Sequence, residues 1–182
     1  MHARQTLRTV AADAATPERA GLPAPDALQP SEPGLLSECW LTSRDFALLE
    51  QHLIDVERRS DSSAVLLGRM IRRKLAGARV VLPDDIPPDV VTGNSRVVFS
   101  IDGRLDEFRR LVHWSHEVIV GQTLLVPTPL GVTLLGMKAG QRAALPRVDG
   151  TARQVELRAI AYQPERERRA ADVRGETAEV AP

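Results

Sequence analysis

The chain of 182 residues is short of three things: cysteine, aromatic side chains, and an excess of charge of either sign. Its one cysteine, Cys39, excludes an internal disulfide, argues against a thiolate metal centre, and points to a reducing compartment. The 24 basic and 24 acidic side chains cancel, whereas free-standing nucleic-acid binders generally carry a basic excess to displace counterions from phosphates. Only Trp40, Phe46, Phe99, Phe108, Trp114 and Tyr162 are aromatic, so an aromatic-walled pocket or base-stacking platform would need several of these six to converge. Composition favours neither. No apolar run approaches the ~20 residues that span a bilayer. The first residues contain Asp13 and Glu18 and no apolar core of a secretory signal. We therefore expect a cytoplasmic protein without a membrane partner.

What is present divides the chain by character. Residues 1–40 are rich in Ala, Pro and polar residues, with Pro23, Pro25, Pro30 and Pro33 blocking regular structure, and are expected to be a disordered arm. Thr42 then offers an N-cap with Asp45 three residues on, a carboxylate variant of the capping box that also suits the helix dipole. Phe46, Leu49, Leu53 and Val56 recur at helical spacing, and after the polar run Arg58–Ser63 so do Ala64, Leu67, Ile71 and Leu75, with Gly77 placed as a cap. Two such helices joined by a short loop predict an antiparallel αα-hairpin over 41–77, each arm of about 15 residues and roughly 22 Å.

From 78 to 165 the pattern changes to short β-like runs: Val80–Leu82, Val97–Ile101, Arg110–Trp114, Val118–Val120, Thr123–Val126 and Gln154–Tyr162. Among them, Pro129 suits a first helical turn and Gly136 or Gly140 its end. These signals predict one short helix set into an antiparallel sheet, hence an α+β class overall. Residues 166–182 lack apolar periodicity and are expected to be a solvated, disordered tail.

Several segments of the second part carry a resemblance. They are Pro88-Asp89-Val90-Val91-Thr92-Gly93-Asn94-Ser95-Arg96-Val97; Pro129-Leu130-Gly131 with Leu134-Leu135-Gly136 and Gly140; and Tyr162-Gln163-Pro164-Glu165. In order and spacing, from about Arg44 to Glu165, they resemble the Gre transcript-cleavage factors and, within that family, the short-hairpin regulators of nucleoside diphosphate kinase. The resemblance implies an FKBP-like C-terminal domain docked on the rim of the RNA polymerase secondary channel, with the hairpin directed at the channel. It also implies that the loop Pro127, Thr128 and Pro129 contacts a coiled coil of the polymerase. Pro127 stands where Gre factors often have an acidic residue. Leu111-Val112-His113-Trp114 departs from the Leu-Val-Tyr-Pro of the short relatives, so nothing is carried over there.

The chemistry these residues offer is modest. Gre factors hold a second Mg²⁺ on carboxylates at the hairpin tip. The tip here has Asp55, Glu57 and Asp61 beside Arg58 and Arg59, and two guanidinium groups oppose the convergent oxygens a hard cation needs. We expect a solvated loop, no metal and no cofactor, with Mg²⁺ delivery as the alternative. Peptidyl-prolyl isomerase activity would need a pocket lined with aromatics; Phe99 and Tyr162 read as core, which leaves too few. His113 and His116 fall on opposite faces of a strand unless a turn at Ser115 intervenes, and read as ordinary surface or turn histidines. Cys39 reads as partnerless, Leu134 and Leu135 as core, and Arg69, Arg72, Arg73 and Lys74 as a solvated basic face. Arg96, after the turn at Asn94-Ser95, is a further candidate polymerase contact. The expectation is thus a non-catalytic, monomeric regulator of transcript elongation that binds RNA polymerase and meets nucleic acid only through that complex.

Overall fold

Helix-forming stripes bury themselves only against a partner, and the computed structural model, which describes residues 39–179 with side chains through 174, shows which. The arm expected over 1–40 lies outside the described residues except for Cys39 and Trp40, which begin a strand, β1 (Cys39–Thr42). It runs directly into α1 (Ser43–Glu57), where the Thr42 hydroxyl accepts the Asp45 N–H at 3.0 Å. The Asp45 carboxylate does not close a capping box; it reaches away from the helix, as described below. After the turn at 58–60, Asp61 caps α2 (Ser62–Gly77) by accepting the Ala64 N–H at 3.0 Å. A strand β2 (Ala78–Val81) follows and pairs in parallel with β1, Cys39 opposite Ala78 and Thr42 opposite Val81. The hairpin is present, and a two-stranded parallel ladder closes its base.

The remaining strands are β3 (Arg96–Ile101), β4 (Glu107–Val112), β5 (Thr123–Leu125), β6 (Arg142–Pro146) and β7 (Ala152–Tyr162), with α3 (Pro129–Leu134) between β5 and β6. They form one sheet in the order β5-β4-β3-β7-β6. All pairs are antiparallel except β4 with β5, so the sheet is mixed rather than purely antiparallel. The reason is the connection. After β4 a 3-10 turn at Ser115–Glu117 and an exposed loop carry the chain back, and it then runs alongside β4 in the same direction. That return loop contains Val118–Val120, which sequence pattern reads as a strand. It is held instead by the Thr123 hydroxyl, which donates to the Ile119 carbonyl at 3.0 Å and accepts the Ile119 N–H at 2.8 Å.

The tail expected from 166 is also different: residues Pro164–Glu179 form a helix, α4. It has no apolar stripe, but Glu165 and Glu167 sit in its first turn, where the helix dipole favours them, and Ala, Arg and Glu propagate a helix well. Arg169 anchors it by donating to the carbonyls of Pro83, Asp84 and Ile86 at 3.0–3.3 Å.

One hydrophobic cluster unites the parts. Leu49, Val56, Leu67 and Ile71 of the hairpin belong to the same buried cluster as Val97, Phe99, Leu111, Leu134, Leu135 and Leu157. The hairpin is therefore laid against the sheet domain rather than held apart from it. Tyr162, read from sequence as core, is 36% exposed because it lies on the sheet face opposite Val97 and Phe99. No helix among the described residues is long and apolar enough to cross a membrane.

Candidate functional site

Three places bear chemistry, beginning with the loop before α3. Thr128 takes extended backbone (φ −130°, ψ 157°) and its hydroxyl does two jobs, donating to the Leu125 carbonyl at 2.7 Å and accepting the Gly131 N–H at 3.1 Å. Pro129 occupies the first helical position, where its missing N–H costs nothing. Gly131 allows the helix to lie directly on the strand: a Cβ there would stand 2.3 Å from the Leu125 carbonyl oxygen and 2.7 Å from the Val126 Cα. At the other end, the Lys74 ammonium reaches from α2 to the carbonyls of Leu135 and Thr133, neutralising the helix C-terminus. Lys74 is thus not part of a solvated basic face; burial lowers its pKa, and it lies 3.6 Å from the Cys39 sulfur, so Cys39 is not partnerless either.

This bracing presents Pro127, Thr128 and Pro129 partly exposed in a fixed geometry. Thr128, Pro129 and Leu130 line an open groove together with Leu66 of α2 and, from β6, β7 and the turn between them, Leu145, Pro146 and Val148 beside the charged Arg147, Asp149 and Arg153. Arg96 is not part of it. It lies two strands from β5, level with the start of that strand, whereas Thr128 follows its end.

The hairpin tip is the second place. Asp55 pairs with Arg58 at 3.2 Å, Glu57 with Arg72 at 2.5 Å, and Asp61 with Arg59 at 3.1 Å. Asp61 is also committed to the Ala64 N–H, which with Arg59 holds its carboxyl below the usual range. The three carboxylates face three different guanidinium groups and do not converge. Among the described residues no three His, Cys, Asp or Glu side chains are grouped as metal ligands.

The third place was not anticipated. His113 is buried, 5% exposed, and its Nε2 lies 3.0 Å from Oδ1 of Asp45, itself 3% exposed. Both Asp45 oxygens also accept the Gly93 N–H, at 3.1 and 3.2 Å. The other imidazole nitrogen of His113, Nδ1, lies 3.2 Å from Nε2 of His52 on α1. The two rings are parallel within 9° with centroids 5.4 Å apart, so they sit edge to edge in one plane. Proton directions follow. Both Asp45 oxygens act as acceptors, so His113 donates through Nε2 and accepts through Nδ1, and His52 donates through Nε2. Desolvation first, and then the electrostatic influence of His113, lower the His52 pKa from 6.5 to about 4, against a weaker upward pull from Asp55. Gly93 is required by the crowding: a Cβ would meet Asp45 Oδ1 at 2.7 Å and His113 Nε2 at 2.8 Å.

The bland reading of His113 as a surface histidine is therefore corrected. The turn at Ser115 does intervene, but His116 is exposed and the two do not meet. Among the described residues no hydroxyl is bonded to this chain of imidazoles; the nearby Thr92 and Ser95 hydroxyls bond each other at 3.0 Å, and Thr92 donates to buried Glu165 at 2.6 Å. The network clips α1 to the sheet domain. The four aromatics of that domain do not assemble a pocket either, since Phe99 is fully buried while Phe108, Trp114 and Tyr162 reach solvent.

Comparison with known proteins agrees with this architecture. No family profile matches the chain. A stretch of 97 residues is 34% identical to the regulator of nucleoside diphosphate kinase of Escherichia coli strain K12, covering 52% of this chain and 71% of that protein. The protein of that description from Shigella flexneri matches to the same extent. Among solved structures, a prokaryotic transcription elongation factor GreA/GreB from Nitrosomonas europaea aligns with a TM-score of 0.52 and 28% identity, over 69% of this chain and the whole of that one. The α+β body, the short hairpin at its side and the matched segments together make this chain a member of the Gre-like regulator of nucleoside diphosphate kinase family.

Proposed function

We propose that this protein is a non-catalytic regulator of transcription elongation that docks on RNA polymerase at the rim of the secondary channel. The observation that carries the reading is the braced loop Pro127–Pro129 at the open groove. Its apolar walls and fixed backbone suit a partner helix laid into a preformed site, at little ordering cost.

Two further observations favour occupancy over delivery of Mg²⁺. Asp55, Glu57 and Asp61 are each engaged by an arginine. The His52–His113 contact also ties α1 to the body well along its length, leaving residues 53–57, about 8 Å of helix, beyond the tether. A hairpin so held occupies a rim; it does not reach far past it. An effect on nucleoside diphosphate kinase, with which the relatives' name connects them, would in this chain be regulatory. Neither a GxxxxGK[ST] nor a GxGxxG phosphate cradle occurs in its sequence.

Retention of core RNA polymerase on the immobilised protein tests the docking. Thr128 caps α3, so substitution there would mix folding with binding. The 56%-exposed Val148, which also lines the groove, is the better position. Retention by wild type and loss by Val148→Asp is the expected result, and no retention by folded wild type refutes the reading. Transcript cleavage in stalled complexes that disappears in an Asp55→Ala, Glu57→Ala variant would instead establish the delivery role.

A further inference from the structure

The face of the sheet turned away from the core carries an arrangement that linear order conceals. Val97 and Phe99 point into the core, so Arg96 and Val98 point outward. Directly paired residues share a face, which sets Tyr162, Arg96 and Arg110 in one row across β7, β3 and β4, and Ala159, Val98 and Phe108 in the next. Phe108 is 51% exposed and Tyr162 36%. Tyr162 and Phe108 are two strands and one row apart, about 12 Å between Cα atoms.

Arg96 and Arg110 are like charges directly opposite each other, a pairing that costs stability unless an anion lies between them. Neither has a carboxylate partner among the described residues; the Arg96 guanidinium instead lies over the Tyr162 ring, 5.4 Å from its centroid. The acids two rows further on, Glu156 and nearby Asp106, are already paired with Arg142 and Arg158. The face is therefore locally positive on a chain whose net charge is zero.

We infer that this face binds single-stranded nucleic acid, with phosphates on Arg96 and Arg110 and bases stacked on Phe108 and on the Tyr162–Arg96 pair. Charge complementarity selects a polyanion. Exposed aromatics beside it select one with unpaired bases, whose flat faces a duplex would hide and an acidic polypeptide lacks. The contact is separate from the groove at Thr128 and goes beyond the expectation that nucleic acid is met only through the polymerase.

Fluorescence anisotropy of a short labelled oligouridylate, titrated with the full chain and no polymerase, tests it independently of docking. The expected result is salt-dependent binding, weaker for the corresponding duplex. Phe108→Ala should weaken it about five-fold or more. The Arg96→Ala, Arg110→Ala double variant should flatten the log–log salt dependence by about 1.4, the contribution of two phosphates on a single strand. Phe108 is half exposed and the arginine pair is repulsive, so these variants keep the fold, which circular dichroism verifies. Absence of binding by folded wild type at low salt overturns the inference. So does equal binding to polyglutamate, or binding indifferent to Phe108→Ala, since either leaves a charge effect without a base site.

Discussion

His52 offers the most direct test of the buried network. In the unfolded chain its imidazole binds a proton as pH falls through 6.5; in the folded protein it does so only near pH 4. Between those values the unfolded state holds one proton more, so stability is complete above pH 6.5 and falls as the solution is acidified. The slope approaches about 1.4 kcal/mol per pH unit, and the whole loss is about 3 kcal/mol. His52→Gln keeps an N–H for Nδ1 of His113 but cannot titrate. Urea denaturation followed by far-UV circular dichroism across this range should show the variant losing markedly less stability than wild type on acidification. Circular dichroism is preferred to fluorescence because Trp114 lies edge-on to His52, at 5.2 Å, and would respond to protonation itself. His52→Leu, which leaves Nδ1 of His113 unpaired, should cost about 1–3 kcal/mol at neutral pH. Parallel pH profiles for wild type and His52→Gln would refute the reasoning, because they would mean that His52 takes up its proton in the folded protein as freely as in the unfolded chain.

Other outcomes follow from the same geometry. Thr128→Ala removes the α3 cap and should cost about 1 kcal/mol, seen as a Tm lower by a few degrees. Gly131→Ala places a methyl 2.3 Å from the Leu125 carbonyl oxygen, a contact with rigid backbone, so it should cost more than about 2 kcal/mol and reduce soluble yield. Asp55→Ala and Glu57→Ala at the exposed tip should each change the free energy of unfolding by less than about 0.5 kcal/mol, and a larger loss would contradict their reading as solvated pairs.

How much of this was legible in the sequence depends on how local each cause is. The hairpin was, because its signals are local: stripes at helical spacing, Thr42 before α1 and the polar run before α2; Gly77, expected as the cap, is instead the last residue of α2, and Ala78 in extended backbone takes the cap position. So was the start of α3, where Pro129 follows a hydroxyl that caps. β6 was not, since Arg142–Pro146 offers only Leu145 and two alanines and exists as a strand by pairing with β7. α4 was not, because it carries no apolar periodicity and is held at Arg169 by hydrogen bonds to carbonyls across the chain. His113 is the clearest failure. It stays apart from His116 because a 3-10 turn at Ser115–Glu117 follows β4, not because of strand alternation, and whether it faces water or α1 depends on where a helix some 60 residues earlier is laid. The outer row of Tyr162, Arg96 and Arg110 is illegible for a similar reason, since Tyr162 comes from β7, remote in sequence from the β3–β4 pair, and a register shift beside Arg96 sets its place.

The same tertiary facts bear on what the hairpin can do. A projecting hairpin would bury its apolar stripes only between its own two helices, and its tip would move about the base as a lever. Here Leu49 and Ile71 are wholly buried in a cluster that includes Phe99, Leu134 and Leu157 of the body. Lys74 ties α2 to the end of α3, and Asp45 and His52 tie α1 to the Gly93 turn and the end of β4. The ties on α2 end at the helix that begins with Thr128 and Pro129, so the hairpin and the groove beside Thr128 are braced by one set of contacts. A change that loosened Lys74 would disturb both, whereas a change at Val148 would disturb the groove alone. Lys74→Met separates the possibilities. It removes the donor to the Thr133 and Leu135 carbonyls while keeping most of the side-chain volume, and should weaken both polymerase retention and hydrogen-exchange protection of α3. If retention falls while α3 amides stay fully protected, the bracing argument fails, and the groove must depend on Lys74 in some other way.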